Sequence, residues 1–339
     1  MRINSANKAI TTYLLEKSAE FRNVTELRQR GWDNPDGDTF FKKQRHASDN
    51  CNNHRALFFY RMMMKIGEEL HRSTNAFAKP NGSPQMKILD MCMAPGGFLA
   101  TALRNNAGAE ALAFSLPPSN GGHRVYLPKD RGVECKFLDI TMLSADMGLE
   151  AIPENHPDAG RFLPQQFKPG QLFDLVLCDG QVLRTQERAP YREKREANRL
   201  AATQLALGLE HLREGGTMVV LLHKLEKYNT AKILWTLSKF ATVRSFKPTK
   251  NHCIRSSFYM VATNVRSRHP VAAQAIEDWK ADWRLATFGT DEEYERSPCN
   301  QGDNVEEMLR EFGTDLVNMG KQMWVVQADA LAKAPFIWK

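Results

Sequence analysis

The chain has 339 residues, 42% of them apolar and 25% charged, and a net charge of +7. This is the composition of a soluble globular protein and excludes collagen-like, low-complexity and disulfide-scaffold classes. The basic excess favours acidic partners, nucleic acid first.

Residues 1–80 read as helical. The N-terminal MRINSANKAITTYLLEKSAEF has no long apolar core and reads as an amphipathic helix, not a signal or transit peptide. NNHRALFFYRMMMKIGEELHRS (52–73) is a second strong helix, and the turn cluster KPNGSP (79–84) marks a boundary. From 86 to 264 strands and helices alternate. Strands are expected at Met86–Cys92, Ala111–Leu116, Glu134–Leu138, Leu172–Asp179, Thr217–His223, Thr242–Phe246 and Ser257–Thr263. Helices are expected at Phe98–Asn106, Glu196–Arg213 and Thr230–Phe240. Several strands are continuous apolar runs, as a sheet covered on both faces requires. The alternation gives a doubly wound α/β sandwich of about seven strands with helical N- and C-terminal additions. Residues 141–171 read as a proline-rich irregular insertion. After 265 the chain is helical and charged again, and its Trp279, Trp283, Trp324 and Trp338 are expected to pack on the central domain. The division is 1–80, 81–265 and 266–339.

No apolar run approaches the ~18 residues of a membrane span. The cysteines at 51, 92, 135, 178, 253 and 299 form no Cys-x-x-Cys pair. They read as free, mostly buried thiols in a reducing compartment, with no metal site. The expected setting is soluble, cytoplasmic or nuclear.

The stretch ILDMCMAPGGFLATAL (88–103) carries the chemistry. An apolar strand ends in Asp90. Pro95 stiffens the turn, and Gly96 and Gly97 let the backbone approach a ligand closely. The helix from Phe98 aims free N–H groups at the same place. Ligands of such sheets bind at the carboxyl ends of the strands. The Gly-x-Gly-x-x-Gly fingerprint of nicotinamide dehydrogenases is absent.

The order Asp-x-Cys-x-Ala-Pro-Gly-Gly-Phe (90–98) instead resembles motif I of S-adenosylmethionine-dependent methyltransferases. Its Ala94-Pro95-Gly96-Gly97-Phe98 variant resembles the FtsJ-like ribose 2′-O-methyltransferases. CKFLDIT (135–141), FDLVLCDGQ (173–181), GGTMVVLLHKLE (215–226) and RSSFYMVATN (255–264) are similar to further blocks of that family, in its order. The resemblance implies S-adenosylmethionine bound by Asp90, Pro95, Gly96, Gly97, Phe98, Ser115, Leu116, Asp139, Ile140 and Asp179. Asp139 would accept from the adenine amino group. It implies RNA as substrate and needs no metal.

The family works through a Lys-Asp-Lys-Glu tetrad, because a ribose hydroxyl must be placed in line and its proton removed or its alkoxide stabilised. Asp179 and Lys224 match the second and third members. Lys65 or Arg61, four apart on one helix face, matches the first. The fourth position reads Ser257 where the family has Glu. Three outcomes stay open: a working three-member site, a carboxylate from elsewhere such as Glu226, or a cofactor-binding relative without this chemistry. A small-molecule methyltransferase on the same fold is a further alternative. Ser115 replaces the acid that commonly binds the cofactor ribose. SNGGH (119–123) is either a plain turn or a lid. RTQERAPYREKREANR (184–199) has six Lys/Arg against three Glu. It either tracks a phosphate backbone and stacks a base on Tyr191, or is a self-paired charged surface.

Overall fold

The structure, a computed structural model, describes residues 3–49, 53–79, 85–129 and 132–337. Its helices are α1 (Ile3–Lys17), α2 (Ala19–Asp33), α3 (Pro35–Asp49), α4 (Asn53–Thr74), α5 (Gly97–Asn105), α6 (Glu196–Glu210), α7 (Tyr228–Ser238), α8 (Pro270–Phe288), α9 (Asp291–Glu295) and α10 (Val305–Ala332). Its strands are β1 (Lys87–Asp90), β2 (Glu110–Ser115), β3 (Val133–Phe137), β4 (Phe173–Cys178), β5 (Leu212–His223), β6 (Thr242–Phe246) and β7 (Ser257–Val265).

The strands form one sheet in the order β3-β2-β1-β4-β5-β7-β6. The first five run parallel, and β7 runs antiparallel to both β5 and β6. Chain order reverses at β1, so a crevice opens at the carboxyl ends of β1 and β4, where such sheets bind ligands. The expected helix Glu196–Arg213 stops at Glu210, and β5 begins at Leu212, five residues earlier than expected. Gly215 and Gly216 fall between the expected helix and the expected strand. In the fold they sit inside the strand, where Gly215 takes φ +78° and the pairing with both neighbours shifts register.

Both faces of the sheet are buried. Ile88, Ala113, Leu175, Leu177, Val219 and Val261 face α4 and α5. Their alternates Leu89, Phe114, Val176, Met218, Val220 and Met260 face the other core. The terminal helices complete that second core: Ile10 and Leu14 of α1, Phe21 and Leu27 of α2, and Leu316 and Trp324 of α10 belong to it. Phe21 and Trp324 meet at 4.9 Å between ring centres. Trp283 is buried and its Nε1 donates to the Thr141 carbonyl (3.0 Å), while Trp279 is partly buried against the same core. Trp338, Cys51 and most of the 79–84 turn cluster lie outside the described residues. The 141–171 insertion is irregular apart from short 3-10 turns, and the Asp146 carboxylate pins it by accepting from the backbone N–H groups of Gln166 and Phe167. Cys178 is buried, whereas Cys92 and Cys135 are only half-buried; with Cys253 and Cys299 they are free thiols.

Among the described residues no helix is long and apolar enough to cross a membrane, and no group of His, Cys, Asp or Glu could hold a metal ion.

Candidate active site

The turn after β1 is locally determined. Gly96 sits at φ +102°, a region open to glycine, and caps α5. At Gly97 a Cβ would collide with the Tyr60 carbonyl oxygen, so this glycine lets α4 and α5 lie backbone to backbone. The Ala94–Pro95 bond is cis. Backbone bonds from Met91 to Leu177 (3.0 Å) and from Met93 to Phe114 (2.8 Å) tie the turn to β4 and β2.

Above it lies a cavity of about 530 Å³. The structure brings Pro95, Gly97, Phe98, Ser115, Leu116, Asp139, Ile140 and Asp179 to its walls. Asp90 lies just beneath, buried, with Oδ1 accepting from the Cys92 N–H (3.1 Å). Gly96 is not among the lining residues; it lies against Met93 and Leu127. The helical side of the cavity is apolar, built by Phe58, Phe59, Met62 and Met63 of α4.

The floor is built of carboxyls. Burial pushes the Asp179 carboxyl up to about 7, against a pull downward from its own backbone N–H. Asp90 is driven well above the carboxylate range by burial first and by the neighbouring Asp179 charge second. Asp139 behaves oppositely. Burial alone would raise it, but the Arg192 guanidinium and hydrogen bonds from Arg192 and Thr141 hold it below its ordinary value. Arg192 Nη2 reaches Asp139 at 2.7 Å and Glu196 at 2.5 Å, Nε reaches Glu196 at 2.8 Å, and Gln186 Nε2 donates to the same Asp139 oxygen at 3.0 Å.

The other tetrad positions lie outside the cavity walls. Lys65 and Arg61 are exposed on α4. Lys224 follows β5 in a left-handed conformation (φ +52°), and its ammonium lies 5.3 Å from the centre of the Trp32 ring. Ser257 opens β7 opposite His223, and its carbonyl accepts from Lys247 Nζ (2.7 Å). Glu226 pairs with Arg28 of α2 at 3.0 Å and not with Lys224. His252 and Arg255, neither assigned a role in the sequence, line the cavity. Burial, with Arg255 and Lys247 nearby, lowers His252 to about 4, so its imidazole is neutral at pH 7.

The two loops over the mouth are tied together. SNGGH forms a 3-10 turn with Gly121 at φ +85°, and Thr185 Oγ1 donates to the Gly121 carbonyl (3.0 Å). Four cations of the segment 184–199 are already engaged, partly within it and partly with Asp139, Thr141, Thr287 and Asp291 beyond it, which leaves them unavailable to a phosphate backbone. Arg192, Arg195 and Arg199 are buried, and Arg188 pairs with Glu193 at 2.9 Å. Tyr191 donates to Asp158 (2.9 Å) and packs edge-on against His156, so it offers no free ring to a base. The Arg192–Glu196 spacing of four was visible in the sequence, with Arg192 falling before the helix that begins at Glu196. What that pair holds, Asp139, was not.

The order of these blocks agrees with a family-wide comparison, in which residues 61–265 match the FtsJ-like methyltransferases. The chain belongs to that family. No curated protein matches it. Among solved structures it is similar to an O-methyltransferase family protein from Burkholderia thailandensis (10% identity, 72% of this chain and 71% of that one, TM-score 0.35). It is also similar to an rRNA methylase from Streptococcus thermophilus (13%, 58% and 96%, 0.34). A third is the N-methyltransferase NodS from Bradyrhizobium japonicum WM9 with S-adenosyl-L-homocysteine (13%, 63% and 89%, 0.36).

This FtsJ-like methyltransferase uses S-adenosylmethionine, which when bound supplies an electrophilic methyl group on a sulfonium. The residues present fit that group. Ser115 Oγ, at the end of β2, is buried and has no protein partner, as expected of a hydroxyl kept for a ligand. A cation beside the Asp90–Asp179 floor would draw those carboxyls toward their ionised forms. At Gly180 a Cβ would fall on Cys92 Sγ, so glycine there leaves room beside Asp179.

Proposed function

We propose that this methyltransferase acts on RNA and modifies a ribose 2′-hydroxyl. One observation carries the chemistry: Asp179 opens into the cavity with a carboxyl pushed to about 7. A ribose hydroxyl is a poor nucleophile, and a base works best when its pKa lies near the working pH. The other wall carboxylates, Asp139 and Glu196, are committed to Arg192. Asp179 is not held by an arginine, so it takes the hydroxyl proton. Positive charge beside it favours its ionised form. The family and the net charge of +7 support RNA as the carrier of that hydroxyl. In this reading residues 81–265 form the transfer domain, and 1–80 and 266–339 are additions that support it.

A specific observation favours a second reading. Lys65 and Lys224 stand outside the cavity walls and Ser257 supplies no charge. A relative that binds cofactor without ribose methylation, or that methylates a small molecule held in the cavity, needs none of the three.

Radiolabelled S-adenosylmethionine incubated with total RNA, then digestion to nucleosides, separates these readings. Label in 2′-O-methylnucleosides that disappears in Asp179→Asn supports the proposal. Tight S-adenosylhomocysteine binding with no label in any ribose overturns it.

A further inference from the structure

We propose that Trp32 is the stacking platform for an unpaired base of the RNA, beside the nucleotide whose ribose enters the cavity; this rests on the RNA reading above. Trp32 is 59% exposed, while Trp283 and Trp324 are at 0% and 2%. An indole carries a large apolar area and is rarely left this open. Packing of α2 does not explain it. The buried stripe of that helix is Phe21, Val24, Leu27, Arg28 and Gly31, and Trp32 falls outside it.

Its position is specific. The ammonium of Lys224 rests against the ring, and Lys224 follows the carboxyl end of β5. In the sheet β5 is the neighbour of β4, with Cys178 level with Val220, so Asp179 and Lys224 share one edge. From Val220 to Lys224 the backbone spans at most ~13 Å at about 3.3 Å per residue. That is a distance a nucleotide or two of single strand bridges. Exposed Lys227 and Arg255 border the same edge, and Arg255 is tied to Gln44 of α3 (3.0 Å). A flat ring set among cations is the arrangement that holds single-stranded nucleic acid: the ring takes a base face and the cations take phosphate.

The platform is also rigid. One turn before Trp32, Arg28 bonds Glu226 (3.0 Å) and Gln327 of α10 (2.6 Å). Gln327 in turn donates to the Ile254 carbonyl (3.1 Å) and to Ser256 Oγ (3.3 Å). The end of α2 is thereby fixed to the loop carrying Lys224 and to the entry of β7, so little ordering is needed when a base arrives. Residue 32 lies outside the family-matched 61–265, so the platform belongs to the N-terminal addition of this chain.

The test uses the full chain and an unstructured, labelled RNA oligonucleotide of mixed sequence, read by fluorescence anisotropy. Trp32→Ala is expected to weaken binding about 5- to 100-fold, and Trp32→Phe to retain most of it. Abasic residues walked along the oligonucleotide should reproduce the loss at one position, with no further loss in Trp32→Ala. S-adenosylhomocysteine affinity and melting temperature should stay at wild-type values in both variants. RNA affinity in Trp32→Ala within twofold of wild type, or an abasic walk without effect, overturns the platform and leaves the RNA reading intact. A wild-type chain that binds cofactor and no RNA overturns both.

Discussion

Arg192→Met is the most informative single change. Arg192 is fully buried, and its guanidinium bonds Asp139 (2.7 Å), Glu196 (2.5 and 2.8 Å) and Thr141 Oγ1 (2.9 Å). Methionine keeps the apolar stem and deletes the charge. Two carboxylates then lose their partner in a low-dielectric setting, a change that costs about 3–5 kcal/mol. Glu196 keeps Arg199 (3.0 Å), which places the cost toward the lower end. For a chain of 339 residues that lowers the melting temperature by about 4–7 °C. Asp139 also loses the contact that holds it ionised. As the proposed acceptor for the adenine amino group it then binds less well, by about 10- to 100-fold on the scale of a charge-assisted hydrogen bond. The sign with pH follows. The wild-type Asp139 sits below the carboxylate range, so cofactor affinity is flat from pH 5 to 8 in its contribution. In the variant the carboxyl rises, and affinity falls as pH drops through its new value. Scanning calorimetry and titration of S-adenosylhomocysteine read both effects. Arg104→Met is the control: Arg104 pairs with Glu68 at the surface, where such a pair contributes at most ~1 kcal/mol. A melting temperature and an affinity indistinguishable from this control would refute the reasoning.

Asp179→Asn should change how stability depends on pH. With its folded value at about 7 and an unfolded value of ~3.9, the wild type holds the proton longer when folded, so stability falls as pH rises from about 4 to about 7. Urea midpoints across that range should show the decline in wild type and its absence in the variant. Ser115→Ala removes a hydroxyl with no protein partner. The unliganded melting temperature should therefore hold or rise slightly, while S-adenosylhomocysteine affinity drops severalfold; a fall in both would mean the hydroxyl serves the fold. Gly97→Ala drives a methyl into the Tyr60 carbonyl, between two helix backbones that have no room to separate. A loss of about 1–3 kcal/mol in denaturant unfolding is expected, together with weakened cofactor binding.

The strands were legible because a sheet covered on both faces writes itself as apolar runs, and six of seven fall within two residues at their starts. β5 departs because glycine in a strand and glycine in a turn look alike in one dimension; only the pairing with β4 and β7 shows a bulge. β7 returns antiparallel between β5 and β6, a placement that residue types do not encode. The cofactor turn was readable since a positive φ at Gly96 and a crowded Gly97 leave glycine little substitute. The arginine ladder at 192–199 was not. A run of mixed charges has the same composition whether it solvates a surface or builds a buried network, and Thr141, Thr287 and Asp139, which turn it inward, come from distant segments. Trp32 escaped for the converse reason: on an amphipathic helix an indole reads as core, and the helix register alone puts it outside.

Arg28 and Gln327 are separated by 299 residues in the chain, yet they close the clamp beside Lys224. A ribosome adding about 5–20 residues per second needs roughly 15–60 s to pass from one to the other. Through that interval α2 has emerged without α10, and the substrate edge lacks its last brace. The edge proposed to face RNA is thus braced only after α10 has followed α2 out of the ribosome.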